Sequence, residues 1–381
     1  MSCMNNEKKG YRDFDLCDSH THIAFEMPIE TTERMLDVYM TYFGLGALAI
    51  LALPHSSRAG NTDPSNNLKA LFLKAKLNRL WPRRSLYALG GLYHFFDGRD
   101  TPQGFMRQAR ALCDMGFDGL KVLTGKPELR ARLGEGLDGG LLRGVWRFCE
   151  EKRFPVTMHL GDPIGYWQSG VYGADMPALE QLRAETERVL ESHPGLDIVL
   201  CHFYFMADDL ERLDRFMARF PNVGLDLTPG SEMYFHFTQR PGEWRDFFIR
   251  HQSRIFFGTD SDNWDCPKRL EDCETCFSYP FNLVRNALEG RQDFCFEDHD
   301  YGPLSPLHLP DDALSAIYGG NFHRRFGSPR QVDMGALRLL CGKLLSLYEH
   351  DALKECSSGR WETDRRSLAR MYDWLDARED R

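Results

Sequence analysis

The sequence predicts an α/β protein: a (β/α)8 TIM barrel with an insertion after strand eight and a C-terminal helical extension. Apolar runs of strand length recur roughly every thirty to forty residues along the 381-residue chain, and amphipathic helical patterns separate them. Eight such runs occur, and eight βα units favour a closed barrel over an open sheet. The first run is not followed by Gly-x-Gly-x-x-Gly, which disfavours an open dinucleotide-binding sheet.

The predicted strands are short and evenly distributed. They lie at residues 16–23, 47–53, 86–94, 119–123, 155–160, 197–203, 223–227 and 254–259. Helix signals fall between them: Thr101-Pro102 begins one predicted helix, Gly116 ends it, and Asp208 or Asp209 caps a later amphipathic run. We expect a tail at 1–15, the barrel at 16–327 and the extension at 328–381.

Composition and charge disfavour several classes of protein. A net charge of −9 disfavours a general nucleic-acid binder. Residues 1–15 are polar, and no later stretch is long and apolar enough to span a bilayer, so we expect neither export nor membrane insertion. The eleven cysteines are scattered and odd in number, which is typical of free thiols in a reducing cytoplasm. Basic residues at 69–84 alternate with leucines at helical spacing and predict a solvated helix face.

Side chains that bind metals stand at the ends of the predicted strands. His20 and His22 end strand one, and because side chains alternate along a strand they point to the same face. His159 ends strand five, His202 ends strand six and Asp260 follows strand eight. The C-terminal ends of barrel strands meet at one rim, so these side chains are expected to converge. Imidazole and carboxylate are ligands that zinc and similar ions prefer, which predicts one divalent metal site.

At this point the motifs resemble a known family. They are Asp-Ser-His20-Thr-His22, Val-Thr-Met-His159, Cys-His202-Phe, Phe-Phe-Gly-Thr-Asp260 and the late Gly-Asn321-Phe-His-Arg-Arg-Phe. In this order they resemble the amidohydrolase superfamily. The closest likeness is to the amidohydrolase-related branch that includes the aminocarboxymuconate-semialdehyde decarboxylase group. The resemblance covers residues 16–326 and leaves out the C-terminal extension.

The resemblance implies roles for individual residues. His20, His22, His159 and Asp260 would bind one divalent ion, most often zinc, and His202 would act beside it as a general acid or base. Asp260 would also accept a proton from the attacking water. In binuclear relatives a lysine of strand four is carboxylated and bridges two ions, and Lys121 occupies that strand. Related mononuclear proteins carry a lysine there as well, so both roles of Lys121 stay open.

Three functions are compatible with these motifs. The leading interpretation is a metal-dependent hydrolase in which an activated water attacks a carbonyl-type centre. The first alternative is a metal-dependent, non-oxidative decarboxylase of an unsaturated or aromatic carboxylic acid. The second is a non-catalytic barrel that keeps a structural metal.

Loop residues are candidates for binding the substrate. Arg58 and His94 could bind a substrate carboxylate, and Tyr166 and Trp167 could stack on or cover a small substrate. The leucines of the C-terminal extension, from Leu337 to Leu347, predict either a cap on the outside of the barrel or an interface in a homo-oligomer.

Overall fold

The barrel forms from eight parallel strands in sequence order. The computed structural model describes residues 11–23, 27–54, 63–95, 98–261, 273–295, 302–349 and 361–377. Within these ranges the sheet order is β1 to β8, each strand pairing with the next in parallel. The strands are β1 Leu16–Thr21, β2 Leu45–Leu51, β3 Ser85–Gly91, β4 Gly119–Gly125, β5 Val156–Leu160, β6 Ile198–Leu200, β7 Val223–Asp226 and β8 Ile255–Phe256.

Backbone hydrogen bonds between the first strand and the segment after the last strand complete the ring. Ser19 N donates to Phe257 O at 3.0 Å, and Asp260 N donates to His20 O at 2.9 Å. The strands are almost entirely buried, as expected for a parallel sheet with a side-chain-filled interior and a helical outer layer. The predicted (β/α)8 barrel is therefore confirmed.

Helices surround the sheet, and their caps match the sequence signals. Thr101 accepts a hydrogen bond from Gly104 N, and Asp209 accepts one from Arg212 N, so each caps the helix that follows it. In the described ranges the helices are α1 Ile29–Tyr42, α2 Asn66–Leu80, α3 Pro102–Asp114, α4 Pro127–Leu133, α5 Gly140–Lys152, α6 Gly165–Gln168, α7 Leu179–Ser192, α8 Leu210–Arg219, α9 Ser231–Gln239, α10 Pro241–His251, α11 Cys273–Glu289, α12 Asp311–Ser315, α13 Asn321–Phe326, α14 Met334–Glu349 and α15 Trp361–Asp376.

Strands β3, β6 and β8 each end three residues earlier than the sequence predicted, and β6 and β8 show the physical reason. β6 stops at Leu200, and a 3-10 turn at His202–Phe205 follows it with positive φ at all four residues. β8 covers only Ile255–Phe256, and Asp260 beyond it has a φ of 54°. Apolar runs therefore overestimated these strands, because such a run persists in the sequence after the backbone has left the sheet. The left-handed turns re-aim the His202 and Asp260 side chains at the rim.

The C-terminal helices pack on the barrel helices α1 and α2. Phe72 of α2 lies 5.2 Å from the ring of Trp374 of α15, centroid to centroid, and Ser367 Oγ accepts a hydrogen bond from Ile29 N. The solvated face predicted for α2 is wrong for Lys69 and Lys74, which are buried in ion pairs. The reason is tertiary: the extension covers this helix and supplies a carboxylate for Lys69.

The region after β8 is described in part. Residues 262–272 and 296–301 lie outside the described ranges, and α11 lies between these two segments in the sequence. Phe294 and Leu304 form an isolated antiparallel bridge, so the chain doubles back on itself within the predicted insertion. Among the helices that the structure describes, none combines the length and apolar character needed to span a membrane.

Candidate metal centre

The predicted ligands converge at the C-terminal rim of the barrel. His20 Nε2 and His22 Nε2 are 3.1 Å apart, although they are separated by one residue on β1. Asp260 Oδ1 lies 3.4 Å from His20 Nε2 and 3.1 Å from His22 Nε2. His20 is buried, and the Asp260 side chain is 32% exposed, so the cluster opens towards the mouth of the barrel.

Outer hydrogen bonds fix the protonation of both imidazoles. His22 Nδ1 is 2.7 Å from the carbonyl oxygen of Leu51, and His20 Nδ1 is 2.8 Å from Asp226 Oδ2. Both partners can only accept, so each Nδ1 carries the proton of the neutral ring and each Nε2 presents a lone pair. Two lone pairs facing each other at 3.1 Å, with a carboxylate beside them, repel. A metal ion between them, or the Lys121 amine 3.1 Å from His20 Nε2, can offset this repulsion.

The spacing of these atoms fits a coordination shell. Ligands about 2.0–2.1 Å from a tetrahedral zinc ion stand about 3.3 Å from one another. The three separations in the His20, His22 and Asp260 cluster are 3.1, 3.1 and 3.4 Å. The donor set of two imidazoles and one carboxylate suits zinc and other first-row divalent ions. The residues present therefore fit a divalent metal.

His159 lies beside His202 rather than in the three-residue cluster. His159 Nδ1 is 3.0 Å from His202 Nε2, while His159 Nε2 is 2.9 Å from the carbonyl oxygen of Gly161. His202 Nε2 is 3.9 Å from Asp260 Oδ2, which links the pair to the cluster. Because Gly161 O accepts a hydrogen bond from Nε2, the neutral His159 ring has no proton on Nδ1. The Nδ1 lone pair therefore points towards the centre of the rim.

Asp226 and Thr228 support the site and were missed in the sequence. Asp226 accepts from His20 Nδ1 and, through Oδ1, from the backbone N of His202 at 2.8 Å. Thr228 Oγ1 donates a hydrogen bond to Asp226 and lies 3.1 Å from His202 Nδ1. It therefore accepts a hydrogen bond from the Nδ1–H group of His202. Asp226 ends β7 just as the predicted ligands end their strands, and that same signal could have identified it.

Lys121, on β4, contacts the site from within the barrel. Its Nζ is 3.1 Å from His20 Nε2 and 3.4 Å from Cys201 Sγ, and its side chain is buried. Imidazole nitrogen and sulfur are acceptors, which suits an amine donor.

Burial and neighbouring charges set the protonation of the site. Burial, reinforced by Lys121, lowers the pKa of His20 to about 4. Burial next to His159 lowers the pKa of His202 to about 3. Burial would raise the pKa of Asp260, but His20, His22 and His202 together hold it well below its ordinary value. At neutral pH the His20 and His202 rings are neutral and the Asp260 carboxylate is charged, as metal ligation requires.

The predicted substrate-binding residues have different surroundings. Arg58 lies outside the described residues. His94 is buried, with Nε2 3.1 Å from Thr124 Oγ1 and its ring against Phe105.

Tyr166 and Trp167 lie on α6, in the loop that follows β5. Tyr166 is 43% exposed, and Trp167 Nε1 donates to Pro177 O within the same loop. Both rings pack on Tyr172, whose hydroxyl donates to Asp162. Asp162 Oδ1 lies 3.6 Å from His159 Nε2 and accepts a hydrogen bond from Lys126 at 2.8 Å, so this aromatic loop lies close to His159.

The chain resembles known proteins over most of its length. The sequence model of one family, described as Amidohydrolase, matches residues 17–327. No curated protein matches the chain. Among solved structures, an uncharacterised TIM-barrel protein of Bordetella bronchiseptica is 15% identical with a TM-score of 0.50, over 82% of this chain and 98% of that one.

Two further solved structures are 5-carboxyvanillate decarboxylases. That of Sphingomonas paucimobilis is 12% identical with a TM-score of 0.48, over 82% of this chain and 99% of that one. That of Novosphingobium aromaticivorans, solved with manganese, is 12% identical with a TM-score of 0.48, over 84% of this chain and 97% of that one. Identities this low do not transfer an activity. The family match is different in kind because it spans most of the sequence, and on that ground the chain belongs to the amidohydrolase family.

Proposed function

We propose that this protein is a metal-dependent hydrolase that uses an activated water to attack a carbonyl-type centre of a small carboxylated substrate. One observation carries the proposal: two imidazole nitrogens with fixed lone pairs and one carboxylate oxygen lie within 3.4 Å of one another at the barrel rim. Family membership supports it, because residues 17–327 contain every member of this cluster.

His20, His22 and Asp260 hold the ion in this proposal, and His159 completes the ligand set from the His202 side. Zinc is the proposed metal, since two or three histidines with one carboxylate are a common catalytic zinc set. When bound, a divalent ion supplies Lewis acidity, which polarises a substrate oxygen and lowers the pKa of a water from about 15.7 towards about 7.

His202 is the proposed general base and acid. Its Nδ1 proton is held by Thr228 at 3.1 Å, so its Nε2 lone pair faces the site and can accept a proton from the attacking water. Asp260 Oδ2 is 3.9 Å from that nitrogen and can take up or pass on the same proton. His202 then returns the proton to the leaving group. Tyr166 and Trp167, on the loop after β5, are proposed to cover the substrate, and Arg58 and His94 to select its carboxylate.

Metal binding tests the proposed ligand set. Zinc titration of chelator-treated protein by calorimetry is expected to give a tight site that is lost in His20→Ala/His22→Ala and weakened in His159→Ala. His193 and His251 are matched controls, because each pairs with a carboxylate on the outer helices, at 2.8 and 2.6 Å. Substituting either by alanine is expected to leave zinc binding unchanged. Equal binding by the His20→Ala/His22→Ala protein and the native protein would contradict the proposal.

Isotope labelling tests the reaction class. Turnover of candidate carboxylated amides, esters and lactones in ¹⁸O-water is expected to place the label in the product, because water is the nucleophile. Release of carbon dioxide with no label in the product would replace hydrolysis by decarboxylation. A protein that binds zinc at this site and turns over neither class of substrate would leave the metal a structural role.

A further inference from the structure

A second group of metal-type ligands lies at the opposite end of the barrel. Cys17, near the start of β1, has its Sγ 3.4 Å from Nε2 of His323, which belongs to α13. Asp15 Oδ2 is 2.8 Å from the same nitrogen. One oxygen, one sulfur and one nitrogen therefore lie within 4.8 Å of one another, contributed by segments about 300 residues apart in the chain. We call this group the Cys17 cluster.

A close backbone approach builds this cluster. A side-chain carbon at Gly319 would lie 2.4 Å from the carbonyl oxygen of Asp15, so only glycine allows the segment before α13 to pack against the start of β1. The same added carbon would be 3.5 Å from Cys17 Sγ. His323 follows Gly319 by about one helical turn, which brings its ring over Cys17 and Asp15.

The single N–H of His323 meets only part of the hydrogen-bonding capacity of Asp15 and Cys17. His323 Nε2 carries at most one proton, and the hydrogen bond at 2.8 Å directs that proton to Asp15. Cys17 Sγ is then left with a weak share of the same N–H at 3.4 Å and a backbone hydrogen bond from Ala47, although its side chain is buried. A cation between the three atoms would satisfy the carboxylate, the imidazole and the sulfur together.

The spacing and exposure also suit zinc. With Zn–S about 2.3 Å and Zn–N about 2.0–2.1 Å, a tetrahedral ion separates sulfur from nitrogen by about 3.5 Å. The observed 3.4 Å matches this value, whereas the 2.8 Å between Asp15 Oδ2 and His323 Nε2 is a hydrogen-bond distance that would widen to about 3.3 Å when zinc binds. Asp15 is 63% and His323 48% exposed, so both side chains can adjust at little cost. The same exposure leaves room for water as a fourth ligand.

We propose that Asp15, Cys17 and His323 bind a zinc ion separate from the metal centre at the strand ends. This ion ties the first strand of the barrel to the last helix of the barrel, α13, and so reinforces ring closure at the base. On binding, the Cys17 thiol loses its proton to solvent and the thiolate forms the Zn–S bond. The neutral His323 ring moves its proton from Nε2 to Nδ1 through solvent, so that the Nε2 lone pair forms the Zn–N bond, with no change of oxidation state. The proposal does not depend on the chemistry at the other rim.

Cadmium, a thiophilic stand-in for zinc, gives a direct test through its ultraviolet thiolate charge-transfer band. Titration of the chelator-treated full chain is expected to produce this band and to saturate it at one ion per chain. The band is expected to vanish in Cys17→Ser and to persist in Cys295→Ser, where the exposed free cysteine is a matched control. It should also persist in Cys201→Ser, which removes the sulfur near the strand-end centre. An unchanged band in Cys17→Ser would overturn the proposal.

Variants of the two exposed ligands keep the test decisive even if Cys17→Ser fails to fold. Asp15→Asn and His323→Gln are expected to abolish the cadmium band. In a His20→Ala/His22→Ala background, zinc is expected to raise the melting temperature, and adding either substitution should remove that rise. If zinc raises the melting temperature equally with and without Asp15→Asn, the Cys17 cluster is not the site. Because sulfur gives the band, failure here is distinct from failure of the strand-end centre.

Discussion

At the scale of single residues, carboxylates behind the proposed ligands control the protonation and orientation of the histidines at the proposed metal centre. Asp226 is fully buried, and His20 together with other neighbours holds its pKa well below the ordinary value even though burial opposes this. It is therefore a permanent acceptor for His20 Nδ1. Such outer partners orient a ligating imidazole and increase its basicity.

Asp226→Asn is expected to weaken zinc binding roughly 10- to 100-fold, because an amide no longer fixes the His20 tautomer or supplies its negative charge. Competition against a chromogenic chelator measures the change. Asp214→Asn is the matched control, since Asp214 pairs with His251 on an outer helix at 2.6 Å. Equal loss of zinc affinity in both variants would mean that Asp226 acts only through general stability.

Asp18 holds the strand ends together below the ligands. Its carboxylate accepts from Tyr39 Oη at 2.6 Å, Thr259 Oγ1 at 2.6 Å, Thr259 N at 3.2 Å and His20 N at 3.0 Å. Burial raises the pKa of Asp18 to about 6 in spite of these hydrogen bonds. The Asp18 carboxylate is therefore removed from solvent, and four hydrogen bonds from protein groups take the place of water.

Asp18→Asn is expected to lower the free energy of unfolding by about 1–3 kcal/mol or more, because the new amide N–H groups face donors. Tyr39→Phe removes one of the four donors and is expected to cost about 1 kcal/mol. Urea denaturation of both variants checks the order. A smaller effect for Asp18→Asn than for Tyr39→Phe would contradict this account of the network.

At the scale of elements, the extension is coupled to the barrel through buried charge. Lys69 of α2 forms ion pairs with Asp364 of α15 and with Asp63, the latter at 3.4 Å. All three side chains are at most 3% exposed. Burial opposes the charge of Lys69, but the two carboxylates outweigh it and raise its pKa.

Lys69→Met is expected to destabilise the protein by about 3–5 kcal/mol, since it leaves two buried carboxylates without their cation. Lys76→Met is the matched control on the same helix: Lys76 pairs with Glu33 at 2.6 Å but remains 21% exposed, and such pairs contribute about 1 kcal/mol or less. Urea denaturation measures both. A loss for Lys69→Met no larger than for Lys76→Met would show that the buried pair contributes nothing.

Elements were predicted from the sequence to different extents. All eight strands and the caps at Thr101 and Asp209 follow from local patterns, because strand alternation and capping depend on neighbours in the chain. The ends of β6 and β8 did not follow, since left-handed turns at His202 and Asp260 break the sheet within apolar sequence. The solvated face predicted for α2 was wrong at Lys69 because its partner Asp364 lies 295 residues away in the chain, and it was wrong at Lys74 because that lysine pairs with Asp118.

At the scale of the whole molecule, buried imidazoles make stability depend on pH. Burial lowers the pKa of His20 and His94 to about 4 and that of His202 to about 3. At pH values between these lowered pKa values and about 6.5, the unfolded chain binds protons at these histidines and the folded protein does not. Stability is therefore complete above about pH 6.5 and falls as the pH decreases towards about 4.

For His94 alone, the difference between the ordinary pKa of 6.5 and about 4 corresponds to about 3 kcal/mol lost over this range. Urea denaturation of chelator-treated protein from neutral pH down to about pH 4.5 measures the slope. His94→Gln is expected to flatten the pH dependence, because an amide does not titrate. An identical slope in that variant would exclude His94 as a contributor.

The sequence by itself determined the barrel, its family and the rim on which the ligands stand. These follow from short-range periodicity and from the order of motifs that end on His20, His159, His202 and Asp260. Tertiary structure decided the partners: Asp226 behind His20, His159 against His202, and Asp15 with His323 at Cys17. Those pairings depend on how distant strands and helices register in three dimensions, and local patterns carry no information about that register.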